Sequence, residues 1–138
     1  MDKKIDIHKA GGILIKEREF LISRSKGKSF FVAPGSKLEK GETPEEALQR
    51  ELKEEFTIRI ELEDLEKFGT FYAPAIGMED KYLQSDIFLV HKWKGEIQPD
   101  NEIEEIMWID SHLPEGIQLG SIFQHEVLPR LKKENLID

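Results

Sequence analysis

GSKLEKGETPEEALQRELKEEFTI, residues 35–58, carries the clearest structural signals in this sequence. Its second half predicts one short helix over about residues 44–55. Thr43 can serve as the N-cap, Pro44 suits the first helical position, and Glu46 completes a Thr-x-x-Glu capping box. A glycine-bounded loop precedes this helix, so the stretch predicts a loop joined directly to a well-capped helix.

The last turn of this helix carries three carboxylates, Glu51, Glu54 and Glu55, where the helix dipole is negative and cations are preferred. Their spacing places them on one side, with Cβ atoms about 5–6 Å apart, and each like-charge pair costs about 0.2–0.5 kcal/mol. They flank the apolar stripe of Leu48 and Leu52 and do not lie opposite it. A solvated acidic face is the alternative, but a divalent cation with a preference for oxygen, Mg²⁺ or Mn²⁺, would explain this arrangement.

The composition describes a single soluble globular domain, 1–138, with 38% hydrophobic and 35% charged residues. The formal net charge of −8 argues against a surface for nucleic acid or anionic membranes, which are held by clustered Lys and Arg. The negative net charge does not exclude small phosphorylated ligands, because bridging metal ions can invert the local charge. The chain has no cysteine, which excludes disulfides and thiolate chemistry. Without a signal peptide or an apolar run of about 18–20 residues, we expect a cytoplasmic protein.

Predicted strands outnumber predicted helices along the rest of the chain. Alternating, β-branched and aromatic segments predict strands at His8–Lys16, Phe20–Arg24, Ser29–Ala33, Ile58–Leu62, Lys67–Tyr72, Tyr82–Trp93 and Ile103–Asp110. Helical spacing of apolar residues predicts a closing helix over Ile122–Leu131. No repeat or linker divides the sequence. The pattern therefore predicts an α/β or α+β domain with a mixed sheet.

With these residues in hand, the chain resembles the Nudix hydrolases, whose signature is G-x5-E-x7-R-E-U-x-E-E-x-G-U with U aliphatic. The signature covers residues 36–58 here, and all its charged positions are present. Ser36 and Thr57 replace its two glycines. A Thr in the left-handed conformation that glycine normally supplies costs about 1 kcal/mol or more, so either the helix ends differently or the strain is tolerated. The resemblance implies an α/β/α sandwich with a central mixed β-sheet.

The resemblance also implies roles for the signature residues. Glu51, Glu54 and Glu55 would be catalytic ligands of Mg²⁺, with Mn²⁺ as the alternative metal. Glu42 and Arg50 would form a structural ion pair. The backbone of Gly35 and Ser36 would lie near the metal-bound diphosphate of the substrate.

A general base is expected among the glutamates just before Trp108. Family members take the base either from the signature or from a later loop, and we favour Glu102 or Glu105. A solvated acidic turn is the alternative interpretation for each of them.

Residues that contact the substrate are less clearly marked in the sequence. Phe71 is a candidate for stacking on a nucleobase, as are three other aromatic residues, Phe30, Phe31 and Tyr72, although each of them is more typical of a core. Arg24 could meet phosphate oxygens together with two lysines, Lys26 and Lys28, or all three could be solvated loop charges. Pro74 is a weak feature shared with ADP-ribose-type members.

The resemblance implies a Mg²⁺-dependent pyrophosphohydrolase that cleaves a nucleoside diphosphate linked to another moiety. Nucleoside triphosphates, ADP-ribose and dinucleoside polyphosphates all fit that description. The alternative is a nucleotide-binding or ADP-ribose-sensing module with the same fold and little turnover. The expected partner is a small nucleotide, without nucleic acid or membrane, and a homodimer is left open.

Overall fold

Seven strands and two helices form the part of the chain that the computed structural model describes, residues 4–75 and 78–138. The strands are β1 (Ile7–Ile13), β2 (Ile15–Lys16), β3 (Glu19–Ser25), β4 (Gly35–Lys37), β5 (Leu65–Ala75), β6 (Met78–Val90) and β7 (Ile103–Ile109). The helices are α1 (Pro44–Phe56) and α2 (Leu128–Lys133). A 3-10 turn (Leu62–Asp64) precedes β5, and a π-helical turn (Phe123–Val127) leads into α2.

The capping box predicted for α1 is present. The Glu46 amide donates to Thr43 Oγ1 (3.1 Å), and the Thr43 amide donates to Glu46 Oε1 (2.9 Å). At the other end, Thr57 takes the left-handed conformation, with φ 65° and ψ 25°. Its hydroxyl donates to the Gln98 carbonyl oxygen (2.9 Å). The helix therefore ends where the sequence predicts, and the fold tolerates the strain at Thr57.

The strands form two sheets, one mixed and one antiparallel. The larger has the order β4-β1-β6-β5, and the smaller has the order β2-β3-β7. Strands β1 and β6 pair in parallel, whereas β4 and β5 pair antiparallel to their neighbours. Because β1 and β6 are distant in sequence, α1 and β5 belong to the connection between them. The α/β class with a mixed central sheet is confirmed.

Two hydrophobic clusters lie on opposite faces of the sheets. One joins α1 to the strands through Leu48, Leu52 and Phe56, which are fully buried against Ala10 and Phe88. The other forms around the closing helix; its members include Phe123, Val127, Leu131, Ile13 and Ile87. Each cluster removes apolar surface from water, at about 25 cal/mol per Å². The strands are thus covered by helical structure on both faces.

Two of the predicted strands are wrong as continuous strands. Within Ser29–Ala33, Phe31 and Val32 form only isolated bridges, and within Ile58–Leu62 only Arg59 does so. Conversely, the loop predicted over residues 35–41 begins with strand β4. A Cβ on Gly35 would overlap the Ala10 carbonyl oxygen and lie 2.9 Å from the Gly11 Cα. Glycine is therefore required there by close approach of two backbones, and not only by a turn.

Among the described residues, no helix has the length and apolar character that crossing a membrane requires.

Candidate active site

The three carboxylates of the α1 last turn differ in exposure. Glu51 is 8% exposed, beside the apolar stripe of the helix. Glu55 is half-buried and Glu54 is exposed. The carboxylates thus form a band that runs from the core side of α1 out to solvent, which agrees with the position expected from helical spacing.

Glu51 is the most unusual group in this band. Burial, together with the neighbouring Glu55 and Glu54 charges, raises the pKa of Glu51 to about 7, against the opposing effect of Arg50 and Lys9. In the described part of the chain its carboxyl makes no hydrogen bond or salt bridge. No fully buried side-chain oxygen in the described residues lacks a hydrogen-bond partner, so the Glu51 oxygens still reach solvent. Ionising this largely buried residue is nevertheless unfavourable, and a bound cation would offset that cost. Carboxylate oxygens of this kind fit Mg²⁺ or Mn²⁺.

The other two carboxylates have different partners. Glu54 Oε2 lies 3.8 Å from Arg50 NH1. Glu55 Oε2 accepts a hydrogen bond from the Glu102 amide (3.1 Å). As these side chains stand, the described residues contain no group of three or more acidic, His or Cys side chains that could hold a metal ion. Chelation by all three glutamates would therefore need new side-chain rotamers of Glu54 and Glu55 on a fixed helix.

Arg50 joins α1 to the loop that precedes it. Its guanidinium binds both carboxylate oxygens of Glu42, at 2.7 and 3.0 Å. The same guanidinium donates to Ser36 Oγ (3.1 Å) and to the Lys37 carbonyl oxygen (3.1 Å). The Arg50 contact lowers the pKa of Glu42. The predicted ion pair is present, and the Ser36 hydroxyl at the signature's first glycine position takes part in it.

We expect Arg50→Lys to destabilise the fold by about 1–3 kcal/mol, because a lysine cannot reproduce a bidentate contact and two further donations. The loss of turnover, expressed as an activation free energy, should exceed the loss in free energy of unfolding, because β4 would no longer be held in a fixed position against α1. Urea unfolding and steady-state kinetics would measure the two effects. Arg59→Lys, at an exposed arginine, is the matched control and should change neither. If both variants had the same stability and turnover, the proposed positioning role of Arg50 would be wrong.

The segment from Gln98 to Glu102 closes the carboxyl end of α1. The Gln98 amide donates to the Phe56 carbonyl oxygen (3.0 Å), and the Asp100 amide donates to that of Glu55 (2.9 Å). These contacts satisfy helix-terminal carbonyls that would otherwise lack a partner. They bring the backbone of Glu102 next to the metal-ligand candidates, although Glu102 lies far from α1 in sequence.

The other base candidate, Glu105, lies on β7 directly opposite Arg24 of β3. Arg24 NH2 lies 3.3 Å from Glu105 Oε1, and Arg24 NH1 donates to the Lys28 carbonyl oxygen (3.1 Å). The structure thus pairs Arg24 with Glu105, and it sets Glu102, not Glu105, against Glu55.

An apolar cavity of about 350 Å³ opens on the sheet face opposite α1. It lies between the strands and the start of the closing helix; its lining includes Phe30, Val32, Ala73, Pro74, Leu83 and Phe123. Gly35 also lines it. Because Gly35 is followed by Ser36, which contacts Arg50, the cavity adjoins the loop that α1 holds in place. Its size and lining suit a small organic ligand.

The aromatic candidates divide between the cavity and the core. Phe30 lines the cavity, whereas Phe31 is a core residue with 3% exposure. Phe71 packs against the larger core cluster, with its ring 6.3 Å from that of Phe68, and is not among the cavity-lining residues. Tyr72 is exposed and stacks on Tyr82. Two cationic side chains that line the cavity, Lys9 and Lys37, were not predicted from the sequence.

The profile of the NUDIX domain matches residues 7–131, which is most of the chain. This protein belongs to the Nudix family. The chain is 37% identical over 118 residues to an 8-oxo-dGTP diphosphatase of Haemophilus influenzae, with 81% of each chain covered. It is also 37% identical over 102 residues to an 8-oxo-dGTP diphosphatase of Proteus vulgaris, covering 70% of this chain and 86% of that one.

Solved structures share the Nudix fold. The Escherichia coli ORF135 protein superposes with a TM-score of 0.72 at 20% identity, covering 96% of this chain and 94% of its own. The MutT Nudix hydrolase of Burkholderia pseudomallei gives a TM-score of 0.70 at 19% identity, covering 81% of this chain and 89% of its own. With the family established, the chain is a Nudix pyrophosphohydrolase, an enzyme that acts on diphosphate bonds.

Proposed function

We propose that this Nudix hydrolase cleaves a nucleoside triphosphate to a nucleoside monophosphate and pyrophosphate, with Mg²⁺ held by Glu51, Glu54 and Glu55. The observation that carries the proposal is the carboxyl of Glu51, on a residue only 8% exposed, beside the two further carboxylates of Glu54 and Glu55. The 8-oxo-dGTP diphosphatase relatives favour a nucleoside triphosphate over the other substrates compatible with the family.

Two parts of the chain would position the substrate. The cavity would take the nucleoside, and the loop at Gly35 and Ser36, fixed by Arg50, would set the position of the diphosphate. Mg²⁺ bound to the glutamates would neutralise charge on the phosphate oxygens and lower the pKa of the attacking water. Holding the reacting atoms in line supplies much of the remaining rate enhancement.

Proton removal from the attacking water is assigned to Glu102. Its amide donates to Glu55 Oε2 (3.1 Å), which places the Glu102 backbone beside the carboxylates of α1. Glu105 is the weaker candidate because Arg24 holds its carboxylate on the neighbouring strand. As water oxygen bonds to phosphorus, the bridging P–O bond breaks, and the proton passes to the Glu102 carboxylate.

A substrate panel tests the proposal. Nucleoside triphosphates, oxidised ones included, would be compared with ADP-ribose and a dinucleoside polyphosphate, each with Mg²⁺ and with Mn²⁺. Mass spectrometry of the products should show a nucleoside monophosphate and pyrophosphate from a triphosphate substrate. Preferential cleavage of ADP-ribose would contradict the substrate assignment. Tight nucleotide binding with no product from any substrate would indicate a nucleotide-sensing module and not an enzyme.

A further inference from the structure

Thr57 carries a side chain where the Nudix signature has its second glycine. The residue follows α1 with φ 65° and ψ 25°, a left-handed conformation that β-branched side chains rarely adopt. Its amide donates to the Leu52 carbonyl oxygen, so its backbone caps the helix. Glycine would form the same cap without strain. The cap by itself therefore gives no reason for a threonine side chain at this position.

The hydroxyl of Thr57 makes a contact that glycine cannot make. It donates to the Gln98 carbonyl oxygen (2.9 Å), which lies in the connection between β6 and β7, 41 residues further along the chain. Thr57 is exposed, so this hydrogen bond is not a consequence of burial. The contact fastens the start of the segment 98–102 to the end of α1.

The segment 98–102 caps the carboxyl end of α1 at three successive carbonyl groups, those of residues 54–56. Two of these carbonyl oxygens accept from backbone amides of the segment, at 2.9 and 3.0 Å. The third, that of Glu54, accepts from the side-chain amide of Asn101 (3.3 Å), a residue that is itself left-handed at φ 48°. These contacts satisfy carbonyl groups that a helix leaves unpaired at its end. The segment is thus fixed to the helix at several points.

The far end of this segment contacts the carboxylate of Glu55. The Glu102 amide donates to Glu55 Oε2 (3.1 Å), and the Glu102 carbonyl oxygen accepts from the Lys26 amide (2.8 Å). Among the described residues, no other donor contacts the Glu55 carboxylate. Hydrogen bonds to carboxylates that ligate a metal fix their orientation and strengthen metal binding. The orientation of Glu55 therefore depends on the segment to which Thr57 is bonded.

We propose that Thr57 is a positioning residue, whose hydroxyl anchors the segment 98–102 so that the segment orients the Glu55 carboxylate for a divalent metal ion. This inference deepens the proposed function and rests on it for the role of Glu55 as a ligand. The hydroxyl acts only through the segment and contacts neither the metal ion nor the substrate. The hydrogen bond to Gln98 offsets the strain that a left-handed threonine brings and that glycine would avoid.

Thr57→Gly tests the anchor in the metal-free protein by amide hydrogen exchange. Loss of one neutral hydrogen bond should raise the exchange rates of the Asp100 and Glu102 amides about three- to tenfold. In calorimetry with Mn²⁺ alone, the same variant should bind the ion about three- to tenfold more weakly. Its melting temperature should stay close to that of the wild type, because the relief of backbone strain offsets the lost hydrogen bond. Thr57→Ser keeps the hydroxyl and should restore both the exchange rates and the affinity.

Asn135→Gly is the matched control for this substitution. Asn135 is also left-handed, with φ 61°, and follows the other helix, α2. Its side-chain oxygen accepts a hydrogen bond from Arg18 NH2 (2.7 Å), so the control also removes one side-chain contact at a left-handed position. It should leave the exchange rates of the segment 98–102 and the Mn²⁺ affinity as they are in the wild type.

Exchange rates or a Mn²⁺ affinity of Thr57→Gly within twofold of the wild type would overturn the proposal, as would a failure of Thr57→Ser to restore them. If Thr57→Gly fails to fold, Thr57→Val removes the hydroxyl, keeps the branched shape and carries the same test. Glu55→Gln separates this inference from the proposed function. If Glu55→Gln bound Mn²⁺ as tightly as the wild type, the ligand assignment in the proposed function would be wrong, whereas amide exchange would still decide whether Thr57 anchors the segment.

Discussion

Glu54→Gln should reduce turnover by about 10²–10⁴-fold, because removing one metal-ligand charge costs several kcal/mol of transition-state stabilisation. The side chain of Glu54 is 54% exposed, so the substitution should leave the free energy of unfolding within about 0.5 kcal/mol of wild type. Amide and carboxylate have nearly the same size, which keeps the packing of α1 unchanged. Steady-state kinetics at saturating Mg²⁺ and urea unfolding measure the two quantities.

Glu45→Gln is the matched control for this experiment. It makes the same chemical change on the same helix, in the first turn and away from the carboxylate band. Its turnover should stay close to wild type. If Glu54→Gln retained wild-type turnover, or if Glu45→Gln lost as much, the assignment of Glu54 as a ligand would be wrong. Glu55→Gln should repeat the loss, and Glu102→Gln should lower turnover without weakening Mg²⁺ binding.

Without divalent metal, the protein should be less stable at pH 8 than at pH 5, by up to about 3 kcal/mol from Glu51 alone. The ordinary pKa of this carboxyl is 4.5, and burial raises the pKa of Glu51 to about 7 in the folded protein. The folded state thus holds the proton more tightly than the unfolded state. The stabilisation that comes from the raised pKa of Glu51 is fully present below pH 4.5 and is lost as pH rises towards 7.

Two other shifted carboxyls do not interfere in this pH window. Hydrogen bonds from His8, Lys67 and Thr70 outweigh burial and lower the pKa of Asp86 to about 2. Arg50 lowers the pKa of Glu42 below its ordinary 4.5. For both groups the stabilisation is present above the unfolded pKa and is lost only in more acid solution. Titration between pH 5 and pH 8 therefore isolates Glu51 from these two groups.

Urea unfolding at several pH values, in EDTA and in Mg²⁺, measures the effect of Glu51. The loss of stability above pH 5 should appear in EDTA and should be reversed by Mg²⁺, which binds the ionised carboxylate. Glu51→Gln should flatten the pH dependence in EDTA, whereas Glu45→Gln should keep it. A pH dependence that survives in Glu51→Gln, or one that Mg²⁺ does not change, would contradict the assignment.

Local sequence rules predicted α1 well because its determinants lie within a few residues of one another. The capping box of Thr43 and Glu46, the apolar stripe and the carboxylate band all follow from helical spacing. Aromatic residues were harder to place, because a ring on a short strand suits a core and a binding site equally. Phe30 and Phe31 are neighbours in sequence, yet one lines the cavity and the other is buried in the core.

Strand prediction failed where pairing is not local. Ser29–Ala33 has the composition of a strand, but its backbone finds only isolated bridges, with Ser23 and with Leu119. The residues of β4, Gly35–Lys37, have a low propensity for strands, and they form a strand because they pair with β1. A strand exists only when a partner backbone is available, and that availability depends on the whole topology.

The family, helix α1 and the ion pair of Glu42 with Arg50 could be predicted from the sequence alone, since each depends on residues within one segment; the three candidate ligands come from the same segment and stay a prediction. The burial of Glu51, the contact of the Glu102 amide with Glu55, and the neighbouring positions of Lys9, Lys37 and Ser85 on three strands come from tertiary packing. Each of these facts depends on segments brought together by sheet pairing. Burial and charge proximity are properties of that packing, and they vary independently of the local pattern.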